Sequence, residues 1–244
     1  MLAGVETEER RGGRRQPNRW KVIFVALLVA GLVSTLGWVL LGSRLLVVRH
    51  VDVSGVSLLT RGQVLDAGKV SLGTPMIRLD TSAVEHRIEA LRQVESVDVS
   101  RSWPATVKIV IRERRPVVVM AAGNGRFNEI DRYGVTVRTV DQQTPGLPEL
   151  QVAAESPADP VTRAALGSLL SLPGSLRQKV VAVSADSTES VVFHFHGTGP
   201  TTVVWGADER AAQKLRLIVA LLRSSAIRGA HSIDVSSPEV VTTR

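Results

Sequence analysis

Residues 100–120 read SRSWPATVKIVIRERRPVVVM, and the fold turns on how they are read. Five basic residues, Arg101, Lys108, Arg112, Arg114 and Arg115, crowd around Trp103-Pro104. Such a cluster invites a nucleic-acid reading. The periodicity points elsewhere. Val107, Ile109 and Ile111 alternate with Lys108, Arg112 and Arg114, the period of a strand with one buried face. Just upstream, Val97 and Val99 alternate in the same way, and Trp103-Pro104 supplies the turn. The stretch is therefore a hairpin, with its basic side chains on the wet face, where charge also discourages edge-to-edge aggregation.

Upstream of the hairpin lies the rest of a small module. VVRHVDVSG (residues 47–55) sets Val51 and Val53 against His50, Asp52 and Ser54, a strand that turns at Gly55. Thr60 with Gln63 forms a capping box for a short helix that Gly68 can end. Asp80 or Ser82 can cap a second helix, with Glu85 completing a box from Ser82, and Val84, Ile88 and Leu91 make its apolar stripe. The order is strand, helix, helix, strand, strand, with the helices covering one face of a small sheet.

Downstream, PVVVMAAGNGRFNEID reads as two strands around Gly123-Asn124-Gly125. DRYG (residues 131–134) is a tight turn into VTVRTV, and TPGLPEL is a Pro-rich connector. DPVTRAALGSLLSL is helical, with Pro160 in its first turn and Leu166, Leu169 and Leu170 inward. KVVAVSA, ESVVFHFHG and TTVVWG are strands. Asp208 can cap a helix whose stripe is Ala211, Leu215, Ile218 and Leu222. SIDVS (residues 232–236) is a last short strand.

Composition bounds what this assembly can do. The chain has 244 residues, a net charge of +7 and no cysteine. Disulfides, thiolate metal sites and a cysteine nucleophile are thereby excluded. Residues 1–21 hold six Arg/Lys against three Glu, a net of +3, and the rest carries 24 basic and 20 acidic residues, a net of +4. That remainder is a mixed surface and no phosphate-tracking stripe. Residues 22–41, VIFVALLVAGLVSTLGWVLL, are uncharged and about long enough to cross a ~30 Å hydrocarbon core as a helix. Trp20 and Trp38 stand near its ends, as interfacial indoles do. The run leads into Gly42-Ser43-Arg44 with no small-x-small cleavage pattern, which favours an uncleaved anchor over a signal peptide. Basic residues concentrate before it, which places the N-terminus in the cytoplasm and the remainder outside. The charged tail before it reads as disordered.

No catalytic apparatus is evident. His194 and His196 share a strand face, but no third ligand is placed by spacing. The Gly-rich turns lack the strand–GxGxxG–helix context of a dinucleotide site, and neither G-x-S-x-G nor S-x-x-K occurs. Asp131 is the first residue of a tight turn and Glu129 lies beside it. Four Phe and one Tyr give no stacking platform for nucleic acid.

The layout resembles the FtsQ/DivIB family of bacterial cell-division proteins, in its actinobacterial form, from about residue 18 to 244. VRHVDVSG, VESVDVSRSWPATVKIVIRERRPV, NEIDRYGV, WGADERAAQKLRLIVALL and IDVSSPEVVTTR are similar to that family's motifs. The resemblance implies an α+β chain: a single transmembrane helix, a POTRA domain (βααββ) and a mixed β-rich domain with flanking helices. It divides the chain into a basic cytoplasmic tail (1–21), the transmembrane helix (22–41), the POTRA domain (47–115), the β domain (116–236) and a C-terminal tail (237–244). It implies a non-enzymatic septal scaffold in the cell membrane, without cofactor, metal or small-molecule substrate, helping to position and regulate septal peptidoglycan synthesis. The partners it implies are FtsB-like and FtsL-like single-pass coiled-coil division proteins. Their strand would add to the edge of the last strand, at Ser232, Ile233, Asp234, Val235, Ser236 and Ser237, with Val240 and Val241. Two alternatives stand beside it, a membrane-anchored envelope enzyme and a POTRA secretion or assembly module.

Overall fold

A computed structural model describes residues 19–42, 46–153, 156, 159–197, 201–223, 230–237, 239 and 242–243. The chain falls into two compact units. One takes Met1–Asp52, Ser71–Asp80 and Ser100–Lys108; the other takes Val53–Val70, Thr81–Val99 and Ile109–Arg244.

The first unit begins with helix α1 (Arg19–Gly42), exposed and apolar on every side, as Phe24, Leu27 and Leu32 illustrate. A helix with no polar face has no water-facing solution, and a bilayer satisfies it. Among the described residues it is the one helix long and apolar enough to span a membrane. The chain next enters a clamp of backbone hydrogen bonds. Met76 N–H donates to Leu46 O at 2.9 Å, Val48 N–H to Thr74 O at 2.9 Å and Arg49 N–H to Ala105 O at 2.8 Å.

Strand β1 (His50–Ser54) follows, then α2 (Arg61–Gly68), a 3-10 turn at Met76–Arg78, α3 (Thr81–Glu89), β2 (Val94–Ser102) and β3 (Thr106–Glu113). The three strands make a sheet in the order β1-β3-β2. The Thr60–Gln63 capping box forms as expected. Val84 and Ile88 of α3 are buried, and so are Val107, Ile109 and Ile111 of β3. Glu85 does not close a box from Ser82; its carboxylate accepts from Val99 N–H at 2.9 Å and ties α3 to β2. Gly55 is required where it stands: its φ is +82°, and a Cβ there would lie 1.9 Å from Ile111 O.

Two basic residues of the opening stretch are tied into the fold. Arg101 stays exposed, as expected, yet its Nε donates to Met76 O at 2.9 Å. Arg114 is half-buried, with Nη1 2.8 Å from the buried Asp131 carboxylate. Alternation places a side chain on a face of the sheet but does not report what a later loop lays over it. Lys108 and Arg112 are exposed, as expected.

The second sheet has nine strands in the order β12-β11-β10-β9-β8-β7-β4-β5-β6. These are β4 (Pro116–Ala121), β5 (Phe127–Asp131), β6 (Thr136–Val140), β7 (Glu149–Val152), β8 (Val180–Ala185), β9 (Val191–Phe195), β10 (Thr202–Gly206), β11 (Ser232–Asp234) and β12 (Thr242–Thr243). Helices α4 (Pro160–Ser171), α5 (Gly174–Arg177) and α6 (Ala211–Arg223) complete it. Asp159 caps α4 by accepting from Thr162 N–H at 2.7 Å. One apolar cluster, including Leu166, Leu169, Phe193, Trp205, Ile218 and Ile233, joins the helices to the sheet. Part of the expected Pro-rich connector is strand: β7 runs parallel to both β4 and β8. It buries Leu150 alone, so no alternation marks it.

Glu113 gives this architecture a testable electrostatic joint. Its carboxylate accepts from the N–H groups of Ser57, Leu58 and Leu59 at 2.8–2.9 Å. Burial pushes its pKa upward, but the three backbone donors outweigh burial and hold it below the ordinary carboxylate value. A lowered folded pKa stabilises above the unfolded value of about 4.3, and the contribution is lost as pH falls through the folded one. Glu113→Gln is expected to cost about 1–3 kcal/mol near neutral pH. The gap to the parent chain should narrow below about pH 4, read from urea midpoints of the two chains.

Candidate functional site

The polar groups that looked most like chemistry are committed to the fold. Asp131 Oδ1 accepts from Tyr133 N–H at 2.9 Å and Val135 N–H at 2.8 Å, while Oδ2 meets Arg114. This is the expected tight turn, with an ion pair added. Glu129 is buried in the fork of Arg138 (2.7 and 3.0 Å) and accepts from Thr144 Oγ1 at 2.5 Å. The hydrogen bonds from Arg138 hold its pKa below the usual carboxylate range against its burial. His194 Nε2 lies 3.2 Å from Ser184 Oγ. Among the described residues, no three His, Cys, Asp or Glu gather as metal ligands.

The end of the nine-stranded sheet has a different character. Strand β11 runs parallel to β10, with Thr202, Val203 and Val204 opposite Ser232, Ile233 and Asp234. Thr202 N–H donates to His231 O, and Val235 N–H to Val204 O. Peptide groups alternate sides along a strand. Residues 231, 233 and 235 therefore face β10, and Ser232 and Asp234 face outward. Ile233 and Val235 are fully buried, Ser232, Asp234 and Ser236 are half-buried, and Ser237 is exposed. Val240 and Val241 lie outside the described residues.

The expectation that β11 ends the sheet is corrected here. Part of the expected tail returns as β12, antiparallel to β11, pairing Ile233 with Thr243 and Asp234 with Thr242. The cause is local. Asp234 Oδ1 accepts from Ser236 N–H at 2.9 Å, an Asx turn that bends the chain after Val235. Glu239, beyond the bend, is ion-paired with Arg210. Gly206, at φ +73°, makes room, since a Cβ there would lie 2.8 Å from Ser236 Cβ. Asp234 faces outward, so Asp234 and Thr242 form the hydrogen-bonded pair. Thr243 then turns its peptide to the far side, toward the sheet's terminal edge. A two-residue strand carries no periodicity, so the sequence gives no sign of it.

A second feature escapes the sequence pattern. Ile218 of α6 is buried and Ala211 and Leu215 are half-buried, while the side chain of Leu222 lies outside the described residues. The stripe also holds Lys214, which is 1% exposed. Its Nζ donates to Trp205 O at 2.7 Å and Ala207 O at 2.6 Å, and stands 5.4 Å from the Trp205 ring centroid. Burial pushes its pKa below the ordinary lysine value and Arg210 adds to this, against the opposing fields of Asp208, Glu209 and Asp234. Helix α6 starts at Ala211, and Asp208 instead accepts from Ser168 Oγ at 3.4 Å.

An apolar membrane helix, a βααββ module and a long mixed sheet define a membrane-anchored α+β protein. The family model described as POTRA domain, FtsQ-type, matches residues 46–114. The chain is 38% identical to the cell division protein FtsQ of Streptomyces bingchenggensis over 232 residues, covering 92% of this chain and 86% of the relative. It is 33% identical to FtsQ of Mycobacteroides abscessus over 242 residues, 99% of this chain and 76% of the relative. It is also 38% identical to FtsQ of Streptomyces venezuelae over 222 residues, 88% and 79%. The chain belongs to the FtsQ family of bacterial cell-division proteins. It is a single-pass membrane protein of the division septum, a non-catalytic scaffold that works through contacts with other divisome proteins. The alternatives of an envelope enzyme and a secretion module are set aside by that membership.

Lys214→Met keeps the aliphatic stem and removes the ammonium. The buried Trp205 carbonyl and the half-buried Ala207 carbonyl then lose their donor, at an expected cost of about 1–3 kcal/mol. The urea midpoint should fall accordingly. An unchanged midpoint would remove Lys214 from the account of this sheet end.

Proposed function

We propose that the chain recruits FtsB-like and FtsL-like single-pass partners by accepting a partner strand at the terminal edge of its nine-stranded sheet. One observation carries this reading: among the described residues, the strand β12 pairs on one side only, with β11. An unpaired strand edge offers a row of N–H and C=O groups, and β-augmentation uses such a row for affinity and alternate side chains for specificity. The docking site is assigned to Ser232, Ile233, Asp234, Val235, Ser236, Ser237, Val240 and Val241, joined by Thr242 and Thr243. Within it, buried Ile233 and Val235 hold β11 in place, and the Thr243 peptide faces the partner.

The organisation that goes with this function is a tail at 1–21 in the cytoplasm, a span at 22–41 and two extracytoplasmic domains, 47–115 and 116–236. The excess of Arg and Lys ahead of α1 supports that orientation. Residues 237–244 are the C-terminal tail, from which Ser237, Val240 and Val241, with Thr242 and Thr243, belong to the docking site.

The test substitutes the outward peptide and spares the inward one. Thr243→Pro removes a donor that faces the open edge. Binding of the full chain to an FtsB-like partner is expected to weaken about tenfold, the equivalent of roughly 1.4 kcal/mol. Thr243→Ala, which keeps the donor, should bind as the parent does. Equal binding by all three chains would refute strand addition at this edge.

A further inference from the structure

We propose that the membrane-facing end of the POTRA domain is a lipid-binding surface, on which Leu72, Ile77 and Trp103 enter the interface of the same bilayer that α1 spans. Three observations converge on this. Leu72 is 67% exposed, Ile77 46% and Trp103 52%, all large apolar side chains with nothing packed over them. Isolated exposed apolar residues are ordinary, but these three sit on two loops fastened to the same short stretch of chain. Gly73 N–H donates to Val48 O at 2.8 Å, Met76 N–H to Leu46 O, and Arg49 N–H to Ala105 O, while Arg101 Nε reaches Met76 O. Both loops are thus stitched to residues 46–49.

That stretch lies next to the membrane. Helix α1 ends at Gly42, and four residue steps separate it from Leu46. Even fully extended, they span at most about 14 Å, less than the depth of a headgroup layer plus one loop. The loops are held at that height by the chain itself, so the effective concentration of bilayer is high and modest affinity suffices.

The chemistry of the three side chains selects lipid over protein. An indole favours the water–hydrocarbon boundary, with its ring among acyl chains and its N–H among headgroups. Shallow insertion of about 5–10 Å is within reach of single Trp, Leu and Ile side chains. Arg78, next to Ile77, is exposed and can meet phosphate oxygens from the same 3-10 turn. Three contacts besides α1 would fix the tilt of the POTRA domain against the membrane, which one attachment point cannot do.

The chain has no cysteine, so single labelling sites can be introduced cleanly. The full chain carries an environment-sensitive fluorophore on Leu72→Cys, Ile77→Cys or Trp103→Cys, in nanodiscs of phosphatidylethanolamine and phosphatidylglycerol. Val181→Cys, an exposed position on β8, is the control. Brominated lipid is expected to quench the three loop labels and leave the control bright, while aqueous iodide does the reverse. In the unsubstituted chain, loops 71–79 and 101–105 should exchange amide hydrogens more slowly in nanodiscs than in detergent micelles. The proposal fails if the loop labels answer to iodide as the control does. It fails equally if they become shielded only when a second division protein is reconstituted, which would assign the patch to a protein partner.

Discussion

The terminal part of the large sheet depends on one buried ammonium. Lys214 reaches back from α6 and ends on the carbonyls of Trp205 and Ala207, where β10 gives way to the helix. Two orphan carbonyls at a strand end need a donor, and water is excluded from this one. The clamp fixes the start of the crossover that lets β11 lie parallel to β10. Parallel neighbours require such a crossover, and its position sets their register. Strand β12 is added to β11, so the proposed docking edge inherits its place from this lysine.

A second fixed point lies where the hairpin meets the next strand. Asp131 collects two backbone donors and the Arg114 guanidinium, and Arg132 pairs with Glu95. These contacts join β2 and β3 to the β5–β6 turn by charge and hydrogen bonds. Such a joint limits rotation about the short link at Arg115.

Much of this was legible. Val107, Ile109 and Ile111 announced β3, and Thr60 with Gln63 announced α2, because strand alternation and helix capping act within a few residues. The membrane helix was legible from its length alone. What escaped was set by distant groups. Arg114 carries the same alternation as Arg112, and only the folded position of Asp131 separates them. Lys214 falls on an apolar stripe where a charge looks out of place until two carbonyls are seen to meet it. Strands β7 and β12 are too short for periodicity. Strand β11 was legible in SIDVS, but the strand beyond it follows an Asx turn at Asp234.

Amide hydrogen exchange, resolved residue by residue across 230–243 in the full chain with and without an FtsB-like partner, tests the central claim most directly. The account predicts that Thr243 becomes protected on binding, while Ile233 and Val235, already bonded toward β10, change little. Unchanged exchange at Thr243, with protection appearing instead on another element of the chain, would contradict it.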